Sequence, residues 1–223
     1  MFDSENLAER GFTVARRLLR PGECRAVAAM WSDEGRFRSR VVMQRHGFGQ
    51  GEYKYFTYPL PEPVERLRQA LYPELAAIAN RWSDALGQGA RFPPNLKSWL
   101  RACHNGGQKR PTPLLLRYGQ GDYNCLHRDL YGDLVFPLQA TVLLSEPSRD
   151  FDGGEFMLIE QRPRMQSRGE VVALAQGDAV IFAVNERPVK GVRGWYRTGM
   201  RHGVSTLRRG ERFTLGIIFH DAA

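Results

Sequence analysis

The sequence predicts a mainly β protein with flanking α helices. From about residue 96 onward, short apolar runs follow one another closely, with turns such as DFDGG and QGD between them. Short strands with regular turns are typical of an antiparallel sandwich or barrel. Before residue 96, apolar residues recur instead at helical spacing. Because no linker, repeat or low-complexity tract divides the chain, we expect a single domain over 1–223, with a helical and strand support region (1–95) packed on a β core (96–223).

The support region contains two predicted helices with strands between them. PGECRAVAAMW places Pro21 at a helix start, and VERLRQALYPELAAIANRW continues the helical spacing for longer. The intervening FRSRVVMQRHGFGQGEYKYFTYPL alternates β-branched and aromatic residues around a glycine turn, which predicts strands. GFGQGE is interpreted as a turn only, since no helix follows it and the GxGxxG fingerprint is incomplete.

The predicted core strands follow in chain order. They are PLLLRYG, FPLQATVLLSEP, GEFMLIEQ, GEVVALAQ, DAVIFAV, GVSTL and RFTLGIIFH. In FDGGEF and QGDAVIF a glycine turn precedes each strand directly. The spacing fits a barrel with the helices on its flank.

The charge is strongly basic. Against 24 acidic residues stand 32 basic ones, a net charge of +8, and only four of the 32 are lysines. Arginine suits phosphates and carboxylates, but a bias in genomic base composition gives the same excess. The charge alone leaves both interpretations open.

Cysteine usage and hydropathy indicate the compartment. The three cysteines, Cys24, Cys103 and Cys125, are odd in number and far apart, which argues against a disulfide framework and a CxxC zinc site. No apolar stretch reaches the roughly 18 residues of a membrane span, and the first residues lack the pattern of a secretion signal. We expect a cytoplasmic protein with no membrane partner and no obligate protein partner.

Two of the five histidines stand in a metal-binding pattern. His127 and Asp129 form an HxD pair, and residues two apart in a strand share one face. His202 is predicted to begin a later strand that a barrel brings alongside. Two histidines and one carboxylate form the facial triad of non-haem Fe(II) oxygenases. Alone, this trio is a weak signal, and core or surface histidines are the alternative.

The chain after His202 makes the signal specific. HGVSTLRRGERFTLGIIF places Arg212 ten residues further on, inside the next predicted strand. In order and spacing, RYGQGDYNCLHRDLYGD, FDGGEFMLIE, QGDAVIF and HGVSTLRRGERFTL resemble the 2-oxoglutarate- and Fe(II)-dependent dioxygenases, especially their prolyl-hydroxylase-like branch. The resemblance spans roughly residues 112–221 and implies a double-stranded β-helix (jelly-roll, cupin-like) core with the N-terminal helices packed on it.

The resemblance also implies roles for individual residues. The implied Fe(II) ligands, which are also the implied catalytic residues, are His127, Asp129 and His202. Arg212 and Thr214, on one face of a strand, would hold the distal carboxylate of 2-oxoglutarate, and Tyr118 resembles a tyrosine that helps bind the same co-substrate. With O2, these cofactors would oxidise a substrate C–H bond and release succinate. A hydroxylated N-methyl group then leaves as formaldehyde, so the protein would be a hydroxylase or a demethylase.

Arg212 is preferred to its neighbours as the anchoring arginine. Gly210 is predicted to turn the chain, which leaves Arg208 and Arg209 at a strand end near solvent. The other histidines, His46, His104 and His220, are interpreted as structural or exposed.

The substrate is predicted from charge and resemblance. Two arginine-rich segments expected in loops at the barrel rim, QRPRMQSRGE and ERPVKGVRGWYRTGMRHG, suit phosphate contact, and Trp195 and Tyr196 suit base stacking. Including RHGFGQGEYKYF, the chain resembles a bacterial oxygenase family proposed to act on damaged nucleic acid. The first hypothesis is therefore oxidative demethylation of alkylated nucleic acid, with single-stranded or damaged DNA or RNA as partner. A solvated loop with an aromatic pair in the core is the alternative for these segments.

Two other functions stay open. AlkB-like demethylases carry further arginines beyond the distal histidine, whereas the spacing here is that of the prolyl-hydroxylase branch. The protein is therefore not a close AlkB relative, and hydroxylation of prolyl or other protein residues, or of a small molecule, is the second hypothesis. A cupin-like binding protein without oxidation is the third, and the triad together with Arg212 disfavours it.

Overall fold

The computed structural model describes all 223 residues and contains four α helices and fifteen β strands. The helices are α1 (Ser4–Arg10), α2 (Pro21–Ala29), α3 (Glu62–Ala85) and α4 (Leu96–Asn105). The strands of the N-terminal part are β1 (Phe12–Ala15), β2 (Phe37–Val42), β3 (Gly49–Gln50) and β4 (Glu52–Phe56). The remaining strands are β5 (Leu114–Tyr118), β6 (Tyr123–His127), β7 (Leu138–Leu143), β8 (Phe151–Gly153), β9 (Phe156–Gln161), β10 (Arg168–Val172), β11 (Ala179–Ala183), β12 (Glu186–Gly191), β13 (Gly194–Val204), β14 (Leu207–Gly210) and β15 (Arg212–Ile218).

Two antiparallel sheets form the core. The major sheet has the order β1-β11-β7-β15-β5-β4-β2, and the minor sheet has the order β10-β9-β13-β6-β3 with β12 paired to β13. Aromatic rings join the two sheets: Phe156 of β9 and Phe182 of β11 have ring centroids 5.1 Å apart. This is a double-stranded β-helix, or jelly roll, and the predicted fold class is confirmed.

Helix α3 packs against the core with an apolar stripe. Leu67, Leu71 and Leu75 recur every four residues and are buried, as the helical period requires of a face turned inward. Each such leucine contributes about 1.5–3 kcal/mol through burial. On the same helix, Tyr72 contacts Phe136, with ring centroids 5.1 Å apart.

A buried ion pair fixes α3 to the end of β15. The Arg68 guanidinium lies 2.8 Å from the Asp221 carboxylate, and both side chains are fully buried. Arg68 Nε also donates a hydrogen bond to the carbonyl oxygen of Ile218 at 2.8 Å. Because removal of either charge would strand the other in the core, this pair anchors the helix on the sheet.

The structure differs from the predicted order of helices and strands before residue 110. Helix α4 lies where no helix was predicted, and Asn95 caps it by accepting a hydrogen bond from the Ser98 N–H. Strands β1, β2 and β4, all before residue 96, belong to the major sheet rather than to a separate layer. None of the helices combines the length and apolar character needed to cross a lipid bilayer.

Candidate active site

The β6–β13 pair brings the two predicted histidines together. His127 ends β6 and lies directly opposite His202 of β13. His202 lies near the end of β13, so the prediction that it begins a strand is wrong. Asp129 lies beyond the end of β6, so the HxD side chains do not converge through strand alternation. Instead, the chain leaves the sheet after His127 and carries the carboxylate to both imidazoles.

The three side chains form a compact group that can hold one metal ion. Their ligand atoms all lie within 4.8 Å of one another. One Asp129 oxygen lies 3.4 Å from His127 Nε2, and the other lies 3.3 Å from His202 Nε2. His127 Nδ1 lies 2.8 Å from the Cys125 carbonyl oxygen, so Nδ1 carries the proton and donates it. Nε2 is then left with a free lone pair, which is the state a metal ligand needs.

The electrostatics favour the metal-binding forms of Asp129 and His202. Burial alone would raise the pKa of Asp129, but hydrogen bonds to His127 and His202 outweigh it and hold the pKa well below its usual range. Burial lowers the pKa of His202 and favours its neutral form. Burial also acts to lower the pKa of His127, but the Asp129 carboxylate overrides it and raises the pKa. An ionised carboxylate beside two imidazoles fits a divalent cation such as Fe(II).

Tyr131 orients the carboxylate and was missed by the sequence analysis. Its hydroxyl donates a hydrogen bond to Asp129 Oδ1 at 2.8 Å. Burial, followed by the charge of Asp129, raises the pKa of Tyr131 well above its usual value, so the phenol stays a donor. Such partners of a ligand tune metal affinity. The sequence feature that could have identified Tyr131 is its position two residues after Asp129.

All six residues predicted for the site line one cavity of about 200 Å³. These residues are Tyr118, His127, Asp129, His202, Arg212 and Thr214. The cavity lies between the sheets. Of these six residues, the minor sheet supplies the two histidines, and the major sheet supplies Tyr118, Arg212 and Thr214. His127 is one-third exposed whereas Arg212 is buried. The cavity therefore opens on the His127 side, here called the mouth, and has Arg212 deep inside.

Arg212 is a buried cation without an anion. Its Nε and Nη1 atoms have no hydrogen-bond partner, and burial lowers its pKa to about 10. The guanidinium carbon lies 5.6 Å from the ring centroid of Tyr118 and 5.8 Å from that of Phe151. A buried guanidinium is costly unless it is paired, and its fork geometry matches a carboxylate. The site therefore fits a dicarboxylic acid such as 2-oxoglutarate.

The turn sequence FDGGEF makes room for this arginine. Gly154 has φ of +61°, and a Cβ atom there would lie 3.0 Å from Arg212 Cδ and 2.7 Å from Leu207 Cδ1. Any larger residue would displace the arginine or strain the turn. The motif thus has a packing role beyond that of a hairpin turn.

The other predicted co-substrate residues surround Arg212. Tyr118 is its direct partner across the β5–β15 pair, and the Tyr118 hydroxyl accepts a hydrogen bond from Asn124 Nδ2 at 3.4 Å. Thr214 is buried and lies two residues along the same strand. Arg208 and Arg209 are exposed beside the turn at Gly210, where φ is +79°, as predicted.

Further polar residues of the cavity were not predicted. Gln139 and Thr141 of β7 are buried, and Gln139 Oε1 has no hydrogen-bond partner. Both lie on a strand whose six residues are all buried, so alternation gave no signal for an inward polar face. Arg128 and Phe48 also line the cavity.

The second arginine-rich segment is a β hairpin, not a loop. Strand β6 ends opposite His202, and β13 continues past that point: residues 194–199 pair with β12, and residues 199–204 pair with β9. At about 3.4 Å per residue, the six β13 residues paired with β12 span roughly 20 Å. We call residues 186–201 the arm. Its exposed side chains include Lys190, Arg193, Arg197 and Arg201, together with Trp195, which is 52% exposed.

Two of the arginines predicted at the rim pair with a carboxylate of the protein itself. Arg162 and Arg187 both contact the Glu160 carboxylate, each at 2.5 Å. Arg187 is buried and also donates to the carbonyl oxygen of Glu9. These two arginines hold the hairpin in place rather than offering charge to a ligand.

Fold and site together define the class of the protein: it is a 2-oxoglutarate- and Fe(II)-dependent oxygenase. Within this class, the family model Oxygenase-NA, described as "Oxygenase, catalysing oxidative methylation of damaged DNA", matches residues 51–222. The match covers most of the chain, and the protein belongs to this family.

The chain is also similar to individual proteins, one in sequence and two in fold. Uncharacterized protein Rv2227 of Mycobacterium tuberculosis (strain ATCC 25618 / H37Rv) is 50% identical over 190 residues, which cover 85% of this chain and 79% of the relative. A prolyl-4-hydroxylase from Pseudomonas putida has a similar fold, with a TM-score of 0.54, 17% identity, and coverage of 96% of this chain and 94% of its own. An oxidoreductase of the 2OG-Fe(II) oxygenase family from Burkholderia pseudomallei also has a similar fold, with a TM-score of 0.54 and 18% identity. The match covers 99% of this chain and 91% of the oxidoreductase.

Proposed function

We propose that this protein removes alkyl groups from damaged nucleic acid by oxidation, using Fe(II), 2-oxoglutarate and O2. In this proposal His127, Asp129 and His202 bind the iron. Arg212, with Thr214 and Tyr118 beside it, binds the distal carboxylate of 2-oxoglutarate. The observation that carries the proposal is the single cavity that joins the three donor side chains to an unpaired, buried guanidinium.

When bound, iron and 2-oxoglutarate supply the oxidation of a substrate C–H bond by O2, with succinate and CO2 as the other products. Hydroxylation of an N-methyl carbon gives a hydroxymethyl group, which leaves as formaldehyde and restores the N–H. Oxidation of this kind takes a methyl group away. The proposed reaction is therefore a demethylation, although the family description says methylation.

The residues of the chain position the reactants. Arg212 offers two parallel N–H donors to one carboxylate, and such charge-assisted pairs fix orientation as well as affinity. Tyr131 holds the Asp129 carboxylate in a single orientation. Because the cavity is enclosed apart from its mouth, a base inside a duplex cannot reach it. The substrate base must be unpaired or extruded from the stack.

The family description and the arm support a nucleic-acid substrate. The arm presents four exposed basic side chains and Trp195, and its residue Gly199 lies beside Arg128, which lines the cavity. Arginine and lysine contact phosphates, and an exposed tryptophan stacks on bases. The proposed partner is single-stranded or damaged DNA or RNA.

We also propose that the chain acts as one oxygenase domain in the cytoplasm. Strands from residues before 96 complete the major sheet, which supports a single cooperative unit. All three cysteines are free thiols, which fits a reducing compartment.

The direct test incubates the protein with an N-methylated single-stranded oligonucleotide, Fe(II) and 2-oxoglutarate. We expect formaldehyde and succinate in equal amounts, no formaldehyde from the unmethylated oligonucleotide, and neither product with Asp129→Ala. Succinate formation driven by a proline-containing peptide, without formaldehyde from any methylated oligonucleotide, would instead support a protein hydroxylase. Absence of succinate with every substrate would support a binding protein.

A binding experiment tests the partner independently. We expect affinity for single-stranded DNA to fall steeply as salt rises, because each phosphate contact releases counterions. The double variant Arg193→Gln/Arg197→Gln should have a shallower salt dependence than the wild-type protein. Failure of the wild-type protein to bind at low salt would refute the nucleic-acid proposal.

A further inference from the structure

Two exposed apolar side chains lie at the mouth of the cavity. Phe48 is 48% exposed and Leu130 is 50% exposed, and both line the same cavity as the metal-binding group. They belong to different segments, one before β3 and the other after β6. Ligand pockets are lined by apolar side chains together with a few polar groups that fix the orientation of the ligand. A ligand that enters past Phe48 and Leu130 would therefore meet an apolar surface next to the proposed metal site.

Phe48 is held firmly by the strand that carries a metal-binding histidine. Its carbonyl oxygen accepts a hydrogen bond from the Cys125 N–H at 2.9 Å, and its own N–H donates to the Met43 carbonyl at 3.1 Å. The next residue, Gly49, packs so closely that a Cβ atom would lie 2.3 Å from the Tyr123 carbonyl oxygen. The backbone position of Phe48 is thus fixed relative to His127.

An aromatic partner backs the Phe48 ring. The rings of His46 and Phe48 are stacked, with centroids 5.3 Å apart and an angle of 22° between their planes. Stacking on one face leaves the other face of the phenyl ring to pack against a flat ligand. A nucleobase is such a ligand, since every base has a π face.

Arg128 supplies an unpaired cation at the same place. It lies between His127 and Asp129 in the chain, lines the cavity, and its guanidinium forms no salt bridge with a carboxylate. Its Nε donates to the Met200 carbonyl at 3.1 Å, and its Nη2 lies 3.3 Å from the position of a Cβ atom at Gly199, on the arm. The backbone contact fixes the guanidinium, and its remaining N–H groups are available to an anion.

We infer that Phe48 and Leu130 hold the unpaired target base, with the base stacked on Phe48, and that Arg128 binds a phosphate beside it. This inference rests on the proposed function and names the residues that select a nucleotide. The two arginines of the cavity then have separate ligands: Arg212 deep inside binds the co-substrate, and Arg128 at the mouth binds the substrate. The arm continues the basic surface from Arg128 outward.

The test measures binding of a fluorescent single-stranded oligonucleotide with one N-methylated base, without O2, in the presence of Fe(II) and 2-oxoglutarate. A second probe has an abasic site in place of that base. The variants are Phe48→Leu, Phe48→Trp and Arg128→Gln. Arg81→Gln is the matched control, because Arg81 is an exposed arginine of α3 and has no carboxylate partner.

We expect Phe48→Leu to weaken binding of the base-containing probe about tenfold and to leave the abasic probe unaffected, whereas Phe48→Trp retains affinity. Arg128→Gln should weaken both probes and reduce the slope of log K against log salt by about 0.7, the value for one phosphate contact on a single strand. Arg81→Gln should change neither.

The outcomes separate this inference from the proposed function. If the wild-type protein binds but Phe48→Leu and Arg128→Gln behave like Arg81→Gln, the residue assignment is wrong and the nucleic-acid substrate stands. If Phe48→Leu weakens both probes equally, the ring contacts the backbone and base stacking is refuted. If the wild-type protein binds neither probe at low salt, the substrate class itself fails, and this inference fails with it.

Discussion

His202 lies directly opposite His127 in the antiparallel β6–β13 pair, and their ring centroids are 4.2 Å apart. The two residues are far apart in the chain, so only the pairing of these strands brings their imidazoles to one ion. Gly203, next to His202, allows the approach, because a Cβ atom there would lie 2.7 Å from the Asn124 carbonyl oxygen. Two of the three proposed metal ligands thus lie in the minor sheet, so metal binding at this site would be coupled to folding.

A divalent metal ion should therefore stabilise the protein. At a free concentration one hundred times its Kd, an ion that binds only the folded state contributes about 2.7 kcal/mol. In a domain of this size each kcal/mol raises the Tm by about 2–4 °C. Asp129→Ala should abolish this increase in Tm, whereas Asp133→Ala, at an exposed aspartate nearby, should retain it. An equal increase in Asp129→Ala would refute the proposed ligand set. In the activity assay, His127→Ala should abolish turnover, as Asp129→Ala should.

Replacement of Arg212 should affect 2-oxoglutarate binding and stability in different ways. A hydrogen bond to a charged group contributes about 1.5–3 kcal/mol, so Arg212→Met should raise the 2-oxoglutarate requirement about 10- to 150-fold. Without co-substrate, the same change removes a buried, unpaired cation, and the free energy of unfolding should not fall. Arg208→Met, at an exposed neighbour, is the control. An unchanged 2-oxoglutarate requirement would assign the anchoring role to another basic residue.

Loss of the Tyr131 hydroxyl should weaken metal binding without breaking the fold. Tyr131→Phe removes the 2.8 Å hydrogen bond to Asp129, and loss of such a partner of a ligand costs about 10- to 100-fold in metal affinity. Titration with Mn(II) measures the change. Tyr123 of β6 is the control, because its hydroxyl forms no side-chain hydrogen bond. The variant Tyr123→Phe should bind the metal as the wild-type protein does. Equal affinity in both variants would show that Asp129 is oriented by the histidines alone.

Local sequence was enough for the residues whose role depends on their own strand. The family resemblance pointed to Arg212, and the turn at Gly210 separated it from Arg208 and Arg209, which lie at the exposed strand end. Strand periodicity then placed Thr214 on the same face as Arg212. Local sequence also indicates helix α4, which the sequence analysis missed. Asn95 is a typical N-cap residue, and the buried residues Leu96, Trp99 and Cys103 recur at helical spacing.

Features that depend on contacts between distant segments could not be predicted in the same way. Asp129 reaches the histidines through an irregular segment, which no periodicity describes. The position of Phe48 depends on a backbone bond to Cys125 across a strand pair. The arm was predicted as a loop because its glycines and charges are typical of turns, whereas pairing between β12 and β13 overrides that local preference.

His220 should make the protein sensitive to mild acid. Its side chain is fully buried, and its Nδ1 accepts a hydrogen bond from the Phe136 N–H at 3.2 Å. Burial, followed by the charge of Arg68, lowers its pKa from 6.5 to about 4. In the unfolded chain the imidazole takes up a proton below about pH 6.5, whereas in the folded protein it stays neutral down to about pH 4.

Stability from the neutral His220 is therefore complete above pH 6.5 and is lost as the pH falls from 6.5 towards 4. The loss amounts to about 3 kcal/mol, since one pKa unit corresponds to 1.36 kcal/mol. His220→Asn keeps an acceptor for the Phe136 N–H but cannot be protonated in this range. Urea unfolding at pH 7.5, 5.5 and 4.5 should show a smaller loss of free energy in this variant than in the wild-type protein. His46→Asn, at an exposed histidine, should keep the wild-type slope, and parallel slopes in all three proteins would show that other groups cause the acid sensitivity.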